Sequence, residues 1–281
     1  MCQISQILNQ PRDNAFFNTW HGSALTEFRN KYITPSGRLV SDSQTAYALA
    51  IVFNLLTDAQ RIHASNRLVH LVRKNAFCIA TGFAGTPLIC EALAMTGHLN
   101  VAYAMLLNES CSSWLYPVTM GATTVWERWD SMLPDATVNK GEMTSFNHYA
   151  FGSIGQFLYE RVAGLTRVSP GWKEIRVVPG VIAGIGGGVF AFRSASAEHM
   201  TPYGVVKCEW AIEGLGHRNK GDRIEVKVSV PLGVTCEVSV PEGRDESFSW
   251  MTELVGPGEW IFESWFVGHN AWPVEPLPSK S

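Results

Sequence analysis

The sequence predicts a mainly α part followed by an all-β part. Three observations carry this expectation. Apolar residues recur at helical spacing through the first half of the chain. Breaks marked by Gly, Pro and capping residues divide that half into helices with short links. From Trp172 the texture changes to short alternating runs separated by Pro and Gly. The expected division is a helical domain over residues 1–168, an antiparallel β-sandwich over 169–266, and a loose Pro-rich tail over 267–281.

The helices follow in order. Asp13-Asn14 is expected to cap a helix carrying Phe16, Phe17, Trp20, Leu25 and Phe28. Pro35-Ser36-Gly37 breaks the chain, and Ser41-Asp42 caps an apolar helix from Tyr47 to Leu56. Asp58 to Lys74 is amphipathic, with Ile62, Val69 and Val72 on the apolar side and Leu68 near its edge. Gly85-Thr86-Pro87 opens another helix, since Pro suits the first turn, and Gly97 closes it. Val101 to Leu107 continues as a further helix. Ser145 starts the last one, Phe151 to Ala163, which Gly164 stops. Paired helices with short links form an αα-hairpin array, either a solenoid or part of an (α/α) barrel. No fixed-period repeat of the solenoid kind is present. The strand-like runs are Ile175–Val178, Val205–Trp210, Arg223–Val228 and Cys236–Val240, at sandwich-like spacing.

Bulk properties narrow the function classes. Hydrophobic residues make up 46% and charged residues 17%, enough apolar content for a sizeable core. The net charge of −3 gives no general electrostatic reason to bind nucleic acid or an anionic membrane. The six cysteines form no CxxC pair and no recognised zinc spacing, so they read as buried or incidental thiols. Residues 1–12 lack the apolar region of a signal peptide, and no stretch reaches the roughly 18 apolar residues of a membrane span. As written, the chain is expected to be cytoplasmic. It would be extracellular if the true N-terminus lay upstream.

Chemistry concentrates in two clusters. The first is Ser113-Trp114-Leu115-Tyr116 with Gly121-Ala122-Thr123-Thr124-Val125-Trp126-Glu127-Arg128-Trp129-Asp130. Tryptophan faces stack on the C–H faces of sugar rings, and a carboxylate beside them can act on the anomeric centre or its water. The alternative is a tryptophan-rich core seam with Glu127-Arg128 as a solvated pair. The second cluster is Ser145-Phe146-Asn147-His148-Tyr149, where Asn147 and His148 can hydrogen-bond sugar hydroxyls, or His148 can cap or pack a helix start. His63 and His70 share a helix face but have no third ligand, so no metal and no cofactor is expected. Gly184-Ile185-Gly186-Gly187-Gly188 lacks the Lys-Ser/Thr and following helix of a phosphate loop and reads as a strand-edge turn. No GxSxG elbow is present.

These clusters resemble a known family. Thr81-Gly82-Phe83-Ala84-Gly85-Thr86-Pro87, the two clusters above, and Ser43-Gln44-Thr45-Ala46 upstream are similar to the catalytic domain of glycoside hydrolase family 78, the α-L-rhamnosidases. Pro170-Gly171-Trp172-Lys173-Glu174-Ile175 with Pro179, and His199-Met200-Thr201-Pro202-Tyr203-Gly204, resemble the family's C-terminal β-domain. The ordered series spans nearly the whole chain. The resemblance implies a partial (α/α)6 barrel followed by the sandwich, and hydrolysis of terminal α-L-rhamnose with inversion. In that reaction one carboxylic acid protonates the leaving oxygen, and a carboxylate roughly 6.5–9.5 Å away activates water. It implies Glu127 as the general base and His148 as a rhamnose contact, with Trp114, Trp126 and Trp129 as pocket walls; Asn147 stands beside them as the hydroxyl partner read from its own chemistry.

One departure accompanies the matches. The family's general acid lies in a motif D-x-x-x-x-E-R followed by Trp and another Asp, and Glu27-Phe28-Arg29 does not reproduce it. The chain is therefore expected to begin partway round the barrel. A missing acid would cost roughly 10²–10⁴-fold in rate. An open half-barrel would expose more than the few hundred Å² of apolar surface usual for a monomer. Self-association or a partner over the open half follows as an expectation. Three readings stand side by side: a truncated rhamnosidase, a repurposed barrel acting on a small glycoside or secondary metabolite, and a non-catalytic sugar-binding module.

Overall fold

The computed structural model describes residues 1–141, 143–185, 189–217, 221–243 and 248–278. Helical hairpins come first and a β-domain follows. By internal contacts the chain divides into Met1–His98 with Leu277–Ser281, and Leu99–Pro276.

The first unit holds α1 (Cys2–Ile7), α2 (Pro11–Tyr32), α3 (Gln44–Val52), α4 (Asp58–Lys74) and α5 (Thr86–Met95). The N-terminal start of α2 is Pro11 rather than Asp13-Asn14, because Pro's fixed φ suits the first helical turn. Asn14 instead turns its amide onto Cys2 O of α1 at 2.9 Å. Ser43, not Ser41-Asp42, caps α3 by accepting the Ala46 N–H. Asp42 is occupied elsewhere: Arg67 Nε of α4 donates to its Oδ1 at 2.9 Å. That guanidinium holds the Asp42 carboxyl down at about 2. Thr57 and Gln60 form a reciprocal capping box on α4. The buried face of α4 is Ala64, Ser65, Leu68 and Val72, while Ile62 is exposed. The wheel was thus rotated from the expected one, since Leu68 lies at its centre. Tyr47, Ala48, Ile51, Leu68, Ile89 and Leu93 form the core where α3, α4 and α5 meet.

The second unit starts with α6 (Leu99–Leu106) and α7 (Leu115–Thr119). A composite helix follows: a 3-10 turn at Ala150–Ser153, α8 (Ile154–Phe157) and a π turn at Leu158–Ala163. Gly164 ends it at φ +90°, where a Cβ would lie 2.1 Å from Val178 O. The β-domain has two four-stranded sheets. The first has the order β1 (Leu165–Arg167), β2 (Glu174–Val177), β6 (Thr235–Glu242), β7 (Ser249–Val255). The second has the order β3 (Ser194–Thr201), β4 (Gly204–His217), β5 (Gly221–Val230), β8 (Gly258–Phe266). All pairs are antiparallel except β2–β6, which run parallel with Ile175 opposite Cys236. Strict alternation puts Ile224, Val226 and Val228 of β5 inward, beside Trp210, Val238 and Phe266. The composite helix is tied to this core: Trp210 Nε1 donates to Val162 O at 3.0 Å. The segment expected as a loose tail is held in part, because Asn100 Nδ2 donates to Ala271 O and Asn270 N–H to Ala183 O. Gly186–Gly188 of the glycine run lie outside the described residues; Gly184 N–H donates to Val189 O.

No helix among the described residues is long and apolar enough to cross a membrane. None of the six cysteines is in a disulfide.

Candidate functional site

Two segments that are distant in sequence run side by side. The Glu127 N–H donates to Ser145 O at 2.9 Å, and the His148 N–H donates to Val125 O at 2.8 Å. Thr124 Oγ1 adds a bond to Phe146 O. These bonds join the tryptophan–carboxylate cluster to the Asn147-His148 cluster. Ser145 is therefore part of an extended clip and not a helix start. The helix begins later, and His148 Nδ1 accepts the Ala150 N–H there at 3.3 Å, which is the capping use of a histidine. Tyr149 stacks its ring parallel to that of His148.

The tryptophans meet in one groove of about 390 Å³, lined among others by Trp114, Val118, Trp126, Trp129, Phe151 and Ile154. Trp126 is 3% exposed and packs edge-on against Phe146 at 5.2 Å. Trp129 lies flat on Phe151, with centroids 3.9 Å apart and planes 5° apart. Trp114 meets Trp129 edge-to-face at 5.7 Å and donates its Nε1 hydrogen to Phe151 O at 3.1 Å. One face of Trp129 is thus taken by Phe151. Phe151 is the residue sequence reasoning missed. Its only sequence signal was an apolar residue at a helix start. Glu127, Asn147 and His148 do not line this groove. Asn147 is exposed, and Glu127 and His148 are half-buried.

The charges sort differently from the expected pair. Arg128 pairs with Asp130, not Glu127: Nε and Nη2 donate to the two carboxylate oxygens at 3.1 and 3.2 Å. Asn139 Nδ2 donates to the same Asp130 at 2.8 Å. Gly141 leaves room for the guanidinium, since a Cβ there would sit 1.9 Å from Arg128 Nη1. Beyond this fork the chain folds into a small hairpin with a bridge between Met132 and Val138. Tyr116 of α7 holds that hairpin by donating its hydroxyl to Met132 O at 2.9 Å, and burial pushes its pKa up. Among the described residues the Glu127 carboxylate makes no ion pair or hydrogen bond. The loop from Glu127 to Ser145 is therefore closed at its neck and braced by the Arg128–Asp130–Asn139 fork, with Glu127 half-buried at the neck and Asp135 exposed further along. No group of three His, Cys, Asp or Glu side chains that could hold a metal ion occurs among the described residues, and His63 and His70 are both exposed.

A family model described as the bacterial alpha-L-rhamnosidase 6 hairpin glycosidase domain matches residues 1–162. A second, the bacterial alpha-L-rhamnosidase C-terminal domain, matches residues 164–252. The chain is 34% identical over 247 residues to an alpha-L-rhamnosidase of Formosa agariphila, covering 87% of this chain and 25% of that protein. It is 37% identical over 214 residues to one of Streptomyces avermitilis, covering 76% and 19%. Among solved structures, the native α-L-rhamnosidase of Aspergillus terreus aligns with a TM-score of 0.84 at 34% identity, over 95% of this chain and 29% of that one. The Streptomyces avermitilis enzyme complexed with L-rhamnose aligns with a TM-score of 0.81 at 32% identity, over 93% and 25%. The chain belongs to the bacterial α-L-rhamnosidase family of six-hairpin glycosidases. It spans about a quarter of the length of these relatives.

Proposed function

We propose that these 281 residues carry the general-base side of an inverting α-L-rhamnoside-hydrolysing centre, with Glu127 as the base. The observation that carries this reading is the division of charge in the Glu127–Asp130 turn. Arg128 is committed to Asp130, so among the described residues no cation pairs with the Glu127 carboxylate, and the residue stays half-exposed, the setting a base that activates water needs. The backbone clip carries the segment of Asn147 and His148 beside that of Glu127, and these two side chains are the proposed partners of a sugar's hydroxyls. The aromatic groove supplies apolar surface for a ring or aglycone. L-Rhamnose, named in the Streptomyces avermitilis complex, is the sugar proposed. No segment of the sequence reproduces the family's acidic motif, so the proposal gives these residues the base and not the protonating acid.

The test is hydrolysis of an α-L-rhamnoside with a nitrophenolate leaving group, which departs without help from an acid, beside Glu127→Gln, with calorimetric titration of L-rhamnose on both proteins. Hydrolysis lowered roughly 10²–10⁴-fold in the variant, with rhamnose binding retained, is the expected result. Equal rates in the two proteins would overturn the assignment of Glu127. The missing acidic motif also favours a second reading, a sugar-binding module without catalysis. It is distinguished by rhamnose binding in both proteins with hydrolysis in neither.

A further inference from the structure

Asp130 is the hub of the loop that follows Glu127. Arg128 reaches both of its carboxylate oxygens, and Asn139, from the far limb of the loop, donates to it as well. The Gly141 N–H in turn donates to Asn139 Oδ1 at 2.9 Å, which orients that amide with its Nδ2 toward Asp130. Two-point contact between a planar guanidinium and a carboxylate sets direction as well as strength.

The backbone around Glu127 is held without this fork. On one side, the Glu127 N–H is bonded to Ser145 O. On the other, the buried Ser131 hydroxyl donates to Arg128 O at 3.0 Å and accepts the Arg128 N–H at 3.3 Å. The fork acts on the Arg128 side chain instead, and that side chain is the cation next to Glu127 in the chain. A guanidinium within about 4–6 Å of a carboxylate favours its charged form, and a carboxylate so held is a weaker base. We infer that Asp130 is a positioning residue for Glu127: it takes up the Arg128 guanidinium and keeps it off the carboxylate that is to accept the proton. The inference rests on Glu127 as the base. It gives Asp130, oriented by Asn139, a part in the reaction that is played through Arg128 and not on the substrate.

The test compares this chain with Asp130→Asn, which keeps the size and removes the charge, and with Asp130→Asn combined with Arg128→Gln. For the nitrophenyl α-L-rhamnoside, Asp130→Asn is expected to lower kcat about tenfold or more with KM little changed, and the double variant to recover most of that loss. A fork that only braced the loop would give the opposite sign, because the double variant lacks both of its partners. A double variant as slow as Asp130→Asn, or slower, would therefore overturn the inference. A second readout needs no turnover. It is the Arg128 Nε–H signal in proton–nitrogen correlation spectra, assigned by its loss in Arg128→Gln, with the backbone amide signals verifying the fold. Glu127→Gln should move that signal little in the parent and clearly in the Asp130→Asn background, where the guanidinium has turned to Glu127. A signal indifferent to Glu127→Gln in both backgrounds would also overturn the inference. A parent without hydrolysis counts against Glu127 as the base, and the spectra then decide by themselves whether Asp130 keeps Arg128 from it.

Discussion

At the residue scale the site rests on aromatic contacts and one closed turn. Trp129 both stacks on Phe151 and lines the groove, so its removal should be felt twice. Trp129→Ala is expected to lower unfolding stability by about 3 kcal/mol, and Trp129→Phe by much less, as read by denaturant titration. Gly164 is a second point of low tolerance. It sits at φ +90° with the Val178 carbonyl 2.1 Å from where a Cβ would go. Gly164→Ala should cost about 2 kcal/mol or more, visible as a fall in thermal midpoint, because both backbone strain and a clash with fixed backbone oppose it. The tryptophans and Glu127 were legible in the sequence, since unusual residues stand together there. The partner of Arg128 was not. Asp130 and Glu127 lie on either side of it at similar sequence distance, and only the turn geometry, with Asn139 nine residues beyond Asp130, decides which carboxylate it takes.

At the scale of elements, α4 shows how a period can be read correctly and a face misread. Its bounds, Asp58–Lys74, coincide with the expected ones because Thr57-x-x-Gln60 is a strong local signal. The direction of the core is not local. Packing on α3 and α5 turns Leu68 inward and leaves Ile62 in water. Leu68→Ala should therefore cost about 2–5 kcal/mol and Ile62→Ala little, a difference that chemical denaturation resolves. The Asp42–Arg67 pair gives the same packing a pH dependence. The carboxyl is held at about 2 in the folded chain against 3.8 as its ordinary value. Its stabilising contribution is thus complete above about 3.8 and is lost as the pH falls through about 2. Because the pair is partly exposed, the gain is modest and screened by salt. Denaturation midpoints of the parent and of Asp42→Asn should converge over that window and differ by a constant amount above it. A difference that persists unchanged down to pH 2 would argue against the pair as its source.

At the scale of the whole molecule, the interior is apolar and its thiols are inert. Cys90, Cys208 and Cys236 are buried, and burial pushes the Cys208 and Cys236 thiols up to about 11 and about 12. Little thiolate exists there at neutral pH. Mass spectrometry after alkylation of the native chain should find these three unmodified and Cys111, which is exposed, labelled first. Denaturation should open all six. Labelling of Cys208 in the native state at the rate of Cys111 would contradict the closed sandwich core.

The sequence by itself determined the order of the parts, helical hairpins and then strands, because apolar period, caps and Gly–Pro punctuation are local properties of the chain. It also determined the family, through motifs that stand in order along nearly the whole length. Four strands escaped it, β1, β3, β7 and β8. β1 is three residues long, and the others carry exposed apolar residues such as Met200, Leu254 and Ile261 that blur the alternation. β8 also finds its partner far away in sequence, where it joins β5, and the parallel pairing of β2 with β6 is equally remote. The tertiary structure alone decided that the Glu127 and His148 segments are clipped together, that Phe151 covers Trp129, and that Arg128 turns to Asp130. Each of these is a contact between segments whose approach depends on loop closure and packing elsewhere, which no local pattern encodes.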